Sequence, residues 1–256
     1  MMRFASLGSG SQGNGLVVEA GSTRVLLDCG FGIRDVEARL ARCGLEGGDL
    51  DAIIVTHEHD DHVGGVARLA RKYELPVYLT YGTLTALNGA RSRIAQITLV
   101  DSHTPFAIGD IEVRPYPVPH DAREPAQFVF SDGGVRLGML TDAGSSTPHI
   151  ESMLTGLDAL VLECNHDLDL LAKGSYPPYL KQRISGRLGH LDNETAATLL
   201  ASLDCSRLQH VIAAHLSQQN NTPELVRAAM AKALGCEHGW IGIADQQDGF
   251  DWREIG

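Results

Sequence analysis

Six consecutive residues constrain this chain more than any other stretch: His57, Glu58, His59, Asp60, Asp61 and His62, directly after the apolar run Ala52–Thr56. That run is short and β-branched, so it reads as a buried strand with the cluster at its mouth. Imidazole nitrogens and carboxylate oxygens at this density suit zinc or manganese. In an extended turn His57 and His59 point the same way, because side chains alternate with period two. Asp61 and His62 then face a second point as the chain begins to coil. One stretch can therefore serve two neighbouring metal ions. The bland alternative is a solvated charged turn, which has no need of three histidines.

Before the cluster, Arg3–Leu7 reads as a strand running into Gly8, Gly10 and Gly13, which match the dinucleotide-binding pattern GxGxxG, with Asp28 ending a later apolar run. That motif needs a helix straight after the glycines. Leu16–Ala20 and Thr23–Leu27 around Gly21-Ser22 instead spell strand, turn, strand. A dinucleotide site is excluded on context. Two readings of the glycine loop stay open: a plain turn, or a loop turning backbone N–H groups and Ser9, Ser11 and Asn14 towards a phosphate.

Beyond the cluster, helices are expected over Ile33–Cys43, Val63–Tyr73, Gly82–Ala90, Thr195–Leu203 and Thr222 to about Ala233. Strands are expected at 76–79, 97–100, 106–108, 111–116, 127–131, 135–141, 157–164, 209–214, 241–244 and 250–252. Asp192 or Asn193 caps the fourth helix. The stretch between about 167 and 189 reads as irregular. Polar residues punctuate the strand ends: His120, Asp142, Glu163 and His215. Each alone reads as a loop residue; their order after the histidine cluster gives them a joint meaning.

That order, His57-x-His59-x-Asp61-His62, then His120, Asp142 and His215, resembles the metallo-β-lactamase superfamily over residues 2 to about 250. The pattern of elements supports only α/β or α+β. The resemblance implies an α/β fold of the αββα four-layer sandwich type, with residues 1–256 as a single domain. It also implies two divalent metal ions, zinc or manganese. One would be held by His57, His59 and His120, the other by Asp61, His62 and His215, with Asp142 between them. A bridging hydroxide would then be the nucleophile, so Asp61 counts with the catalytic residues as well as the ligands.

The second half narrows the branch. Ser6–Asn14, Glu163–Asp167 with His166, Tyr176–Ile184, Gly189–Leu191 and His215–Asn221 resemble the YycJ/WalJ proteins, metallohydrolases linked to 5′-to-3′ DNA exonuclease activity. By that likeness His190 is the general acid, Glu163 the carboxylate that orients it, and His166 a substrate contact. Between Lys173 and Arg187 lie Lys173, Lys181, Arg183 and Arg187 with no acidic residue, plus Tyr176 and Tyr179. Such a window either holds phosphates and stacks bases or is a solvated loop whose tyrosines pack on the core. With the resemblance, Ser9, Asn14, Tyr176, Lys181 and Arg183 are expected to bind a DNA substrate. Hydrolysis of small or cyclic phosphodiesters is the alternative within enzymes. An inactive metal-dependent regulatory protein is the alternative outside them, disfavoured because no ligand position is eroded.

Composition bounds the rest. With 43% hydrophobic residues and no biased tract, the chain is expected to be globular. A formal charge of −11 excludes a protein that coats nucleic acid non-specifically, though not a nuclease with a local basic patch. Five cysteines without a CxxC pair point to reduced thiols in a cytoplasm. No apolar run reaches the roughly 18 residues of a membrane span, and no signal peptide is evident, so the expectation is a cytoplasmic protein away from membranes.

Overall fold

A computed structural model describes residues 1–87 and 94–256. The first sheet takes its strands mainly from the first half of the chain: β1 (Met2–Gly8), β2 (Gly15–Ala20), β3 (Thr23–Leu27), β4 (Ala52–Ile54), β5 (Val77–Leu79) and β6 (Ile97–Leu99). The second is built from β7 (Phe106–Ile108), β8 (Ile111–Pro117), β9 (Ala126–Ser131), β10 (Arg136–Leu140), β11 (Ala159–Glu163), β12 (His210–Ala214) and β13 (Ile241–Ile243). The chain then returns to the first sheet, where β14 (Phe250–Ile255) pairs antiparallel with β1.

Each seven-stranded sheet has an antiparallel part and a parallel part. The orders are β14-β1-β2-β3-β4-β5-β6 and β13-β12-β11-β10-β9-β8-β7. Strands β3 to β6 run parallel, as do β10 to β13. Parallel neighbours need crossovers, and helices supply most of them: α1 (Ile33–Arg42), α2 (Asp60–Val63), α3 (Val66–Tyr73) and α4 (Tyr81–Ala86) in the first half. The second half contributes α5 (Pro148–Leu154), α6 (Leu168–Lys173), α7 (Pro178–Ile184), α8 (Asn193–Ser202) and α9 (Pro223–Leu234).

Period-two alternation along the central strands sends successive apolar side chains to different layers. Val25, Leu27, Val161 and Ile212 join Phe4, Phe128 and Phe130 between the two sheets. Leu26 and Ile53 face outward against Val36, Leu40 and Leu69 of α1 and α3. Leu160 and Val211 face outward against Ile150, Leu199, Val226 and Met230 of α5, α8 and α9. Both sheet faces are covered, which is why these strands read as unbroken apolar runs. Three apolar layers separate four layers of structure, the αββα sandwich.

Several boundaries differ from the sequence reading, each for a local reason. The helix expected over Val63–Tyr73 is interrupted at Gly64-Gly65, so α2 carries the end of the histidine cluster and α3 starts at Val66. A Cβ on Gly65 would lie 2.0 Å from the Phe31 carbonyl, so the chain passes too close for any other residue. The helix expected over Gly82–Ala90 runs as α4 to Ala86, and residues 88–90 lie outside the described residues. The stretch read as irregular contains α6 and α7, the first capped by Asp167 and the second started by Pro178. Helix α5, not foreseen, is capped by Thr147 with Pro148 in its first turn. Asp192, not Asn193, caps α8, its Oδ1 accepting from the N–H groups of Glu194 and Thr195. Among the described residues, no helix is long and apolar enough to cross a membrane.

Candidate metal centre

The centre lies where parallel strands end. β3 leads to Asp28, β4 through the buried Val55 and Thr56 to His57, β10 to Asp142, β11 to Glu163 and β12 to His215. Carboxyl ends of parallel strands are where α/β sheets place ligands, because the chain must turn there and side chains converge. His59 stays extended (φ −64°, ψ 144°) and precedes α2, whose first turn carries Asp61 and His62. The change from extended to helical chain within six residues makes the hexapeptide face two points.

Donor atoms converge into three overlapping sets: His57, His59 and His120; Asp61, His62 and His215; and His57, His62 and Asp142, the atoms of each within 4.8 Å of one another. His59 Nδ1 lies 3.3 Å from His120 Nε2. Asp61 Oδ2 lies 3.4 Å from His215 Nε2 and 3.6 Å from His62 Nε2. Asp142 reaches both groups, with Oδ2 3.1 Å from His62 Nε2 and Oδ1 3.5 Å from His215 Nε2 and 3.9 Å from His120 Nε2. Ligands about 2.0–2.1 Å from one tetrahedral ion sit roughly 3.4 Å apart, so these spacings fit shared ions. The donor chemistry agrees. His57 Nε2 and Asp142 Oδ2 are buried with no hydrogen-bond partner, a costly condition that a cation relieves.

The field at the centre is that of a cation site. Burial opposes ionisation of Asp142, but His215 and His62 outweigh it and hold the carboxyl well below the usual range. Burial likewise disfavours charge on His62 and His215. Asp142 and Asp28 nevertheless carry His62 well above the ordinary imidazole value, and Asp142, Asp61 and Glu163 raise His215 to about 9. Burial, reinforced by His62, holds His57 well below that value. Protons thus collect between the carboxylates, and a metal must displace them to bind.

Behind the donors stands a shell that the sequence reading missed. Thr56 Oγ1 lies 3.0 Å from His57 Nδ1. Asp28 Oδ2 lies 2.8 Å from His62 Nδ1, and Asp28 is itself held by the N–H and hydroxyl of Thr56, both 2.8 Å away. The Gly189 carbonyl is 3.1 Å from His120 Nδ1, and Asn165 Nδ2 is 3.3 Å from His215 Nδ1. Such partners select the tautomer and fix the ring, here assigned from geometry. Of these, Asp28 has a signal in the sequence, a carboxylate at the end of an apolar run.

Beside the donors, His190 Nδ1 lies 2.8 Å from Glu163 Oε1. Glu163 is fully buried, and its Oε2 accepts from the N–H groups of Ala143 and Leu191. Burial lowers the His190 pKa, but Glu163 outweighs it and the net shift is upward. His190, His59, Asp61, Asp142 and His215 line an open cleft of about 390 Å³ with Ser11, Tyr176, Leu180 and Arg183. His190 and Glu163 also form a ligand-capable group with Asp142 and His215, so proximity alone does not separate acid from ligand.

Three expected substrate contacts are placed differently. Ser9 and Asn14 are buried against the donors: Ser9 Oγ accepts from the His215 N–H, while Asn14 Nδ2 donates to the Asp61 carbonyl and lies 3.3 Å from Asp61 Oδ2 and 3.1 Å from His62 Nε2. The glycine loop offers almost no amide to a phosphate. The N–H groups of Ser9, Gly10, Gln12, Gly13 and Asn14 all donate inside the protein. Gly8, Gly10 and Gly13 serve close approach, with φ between 145° and 154°, where a side chain would strike Phe31, Arg39 or Gln246. His166 is 1% exposed and absent from the cleft wall, its ring nitrogens without partners. Of the basic window, Lys181 Nζ donates to the Ala172 carbonyl and Lys173 pairs with Asp169. Tyr176 and Arg183 do line the cleft.

A family model described as a β-lactamase superfamily domain matches residues 23–215. Exodeoxyribonuclease YycJ of Bacillus anthracis is 36% identical over 95% of this chain and 92% of its own. The chain belongs to the metallo-β-lactamase superfamily, in its YycJ/WalJ branch. Exodeoxyribonuclease WalJ of Streptococcus pneumoniae is 32% identical over 94% of this chain and 91% of its own. Among solved structures, the metallo-β-lactamase fold protein YhfI from Bacillus subtilis covers 98% of both chains with a TM-score of 0.76 at 18% identity. Zn²⁺-bound PqqB from Methylobacterium extorquens covers 99% of this chain and 100% of its own with a TM-score of 0.74, also at 18% identity. These two share the fold. As a metallo-β-lactamase superfamily member of this branch, the protein is a metal-dependent hydrolase whose histidine and aspartate clusters suit divalent metal.

Proposed function

We propose that this hydrolase is a dinuclear phosphodiesterase that degrades DNA from the 5′ end. Its ions, zinc or manganese, would be held by His57, His59 and His120 on one side and Asp61, His62 and His215 on the other, with Asp142 between them. One observation carries the reading. A single open cleft is lined by His59, Asp61, Asp142 and His215 of the donor sets, by His190, which the buried Glu163 holds from behind, and by Arg183 and Tyr176. Relatives named exodeoxyribonucleases over nearly the whole chain support DNA as the substrate. Residues 1–256 are read as one such unit, since both sheets share one apolar layer.

Bound divalent ions supply an activated water and a clamp for the phosphate. The chain's own residues do the rest. Glu163 accepts the Nδ1–H of His190, which leaves Nε2 to carry the proton given to the departing 3′ oxygen as the P–O bond breaks. The upward pKa shift caused by Glu163 keeps that proton available near neutrality. Arg183 offers a guanidinium to a phosphate and Tyr176 an aromatic face to a base.

The test is digestion of duplex DNA, labelled at the 5′ or the 3′ end, by protein loaded with manganese or zinc. A 5′ label released first, as a mononucleotide, is the expected result. Cleavage of a chromogenic phosphodiester with no attack on either DNA end overturns the nuclease reading in favour of a small-molecule enzyme.

A further inference from the structure

The five histidines of the donor sets each have an inward nitrogen among the donors and an outward one behind. Four outward nitrogens sit within 3.3 Å of a polar partner: Thr56, Asp28, Gly189 and Asn165. His59 differs. Its inward atom is Nδ1, facing His120, and its outward atom is Nε2. It is also the one donor-set histidine that is not buried, with its side chain 29% exposed against 3% or less for His62, His120 and His215. The rings of His57 and His120 pack against one side of it, with centroids 4.5 and 5.0 Å away, and the other side is open to the cleft.

The group facing His59 Nε2 is Asp121, whose Oδ1 lies 3.7 Å away, just beyond hydrogen-bond length, and 3.6 Å from His120 Nε2. Asp121 is held from two directions. Its N–H donates to the Leu188 carbonyl at 3.0 Å, and its Oδ2 accepts from Arg183 Nε at 2.6 Å. Arg183 belongs to α7, a helix with no fully buried residue, whose Leu180 and Ile184 are half-buried. The next residue after Gly189, His190, hangs on the same helix through its N–H and the Ile184 carbonyl, 2.8 Å apart.

We infer that Asp121 is the positioning residue for His59, accepting from its Nε2–H and so presenting Nδ1 to the metal, and that Arg183 holds Asp121 in place. The inference rests on His59 being a metal ligand. Its logic is that of Asp28 and His62 on the opposite side, with one difference. Asp28 is buried and braced by Thr56, whereas Asp121 is half-exposed and braced by a guanidinium at the cleft wall. A phosphate that takes Arg183 therefore competes with Asp121 for it, since bidentate phosphate pairing suits a guanidinium. Occupancy of the cleft and the grip on His59 become linked through a single side chain.

The test measures metal affinity of the full chain by competition with a chromogenic chelator, using Mn²⁺ and Co²⁺, and reads ring tautomers by long-range ¹H–¹⁵N NMR of the metal-free protein. His59→Ala should abolish the tighter or the weaker of the binding steps. Asp121→Ala should weaken that same step by about 10–100-fold, the usual effect of losing an outer partner, while circular dichroism and Tm stay unchanged. Adding Asp121→Ala to His59→Ala should then cost nothing more. In the wild type the His59 ring should carry its proton on Nε2, and Asp121→Ala should shift it towards a tautomer mixture. Arg183→Ala should weaken the same step less than Asp121→Ala, and Arg183→Lys should recover part of the loss. If His59→Ala loses a step and Asp121→Ala loses none, the positioning role is overturned while the ligand assignment stands. Unchanged metal binding in His59→Ala removes both.

Discussion

At the candidate metal centre, His57, His62, His120, Asp142 and His215 are all buried; strand ends deliver His57, Asp142 and His215, α2 carries His62, and all four histidines are braced from behind. Across the same cleft, α7 buries no residue, and Arg183 and Lys181 are committed to protein partners. The centre derives its geometry from the sheets, and its side chains have no choice of position. The rim derives its geometry from a few polar ties that a substrate can replace. Precision and adaptability are thus divided between two walls of one cleft.

The largest expected effect breaks the centre. Asp142→Ala removes the carboxylate shared by the two donor groups, and should lower both metal content and hydrolysis, the latter by about 10³-fold or more, since metal-based stabilisation is worth several kcal/mol. Elemental analysis with turnover measurements checks this; full metal content with full activity would dissolve the distinction between the walls. Next comes the residue that joins them. His190→Ala should cost about 10²–10⁴-fold on DNA with metal content intact. A substrate with a very good leaving group should suffer far less, because it departs without a proton. Equal loss on both substrates, or loss of a metal, makes His190 part of the donor set.

Smaller effects sharpen the comparison. Asp28→Ala should reduce metal affinity by about 10–100-fold through His62 directly and through Thr56 and His57 behind it, read by chelator competition. A change in DNA affinity at saturating metal would show that the outer shell reaches the rim. Tyr176→Ala should weaken single-stranded DNA binding by about 1–3 kcal/mol if a base stacks there, without touching metal affinity. Lys173→Ala should do least. Its pair with Asp169 is fully exposed and screened by solvent, and the salt dependence of DNA binding should change by less than about one phosphate contact.

The same division explains what could be read from sequence. The candidate ligands were legible as a pattern because His57, Asp142 and His215 each follow an apolar run, and strand ends are where chemistry collects in this architecture. The rim was not. α6 and α7 are too short and too exposed for an apolar period, so only Asp167 and the prolines announce them. Ser9 and Asn14 misled because a polar residue in a glycine loop looks the same whether it faces a phosphate or the back of His215. Asp121 was passed over because its partners, Arg183 and Leu188, lie more than sixty residues away in sequence.

Among the described residues, the non-glycine positions with left-handed backbone are Asp28, Glu74, Asp142 and His215. Glu74 ends α3, but the other three all belong to the centre or its brace. Left-handed backbone at such residues costs on the order of 1–3 kcal/mol each. Selection for thermal stability alone would therefore push against these positions. Glycine at 142 relaxes the backbone. A directed-evolution screen scored only by resistance to heat in chelator should enrich that change and return robust proteins without metal. Durability and activity are opposed at these three positions, and any thermostable variant of this protein has to be selected with its ions present.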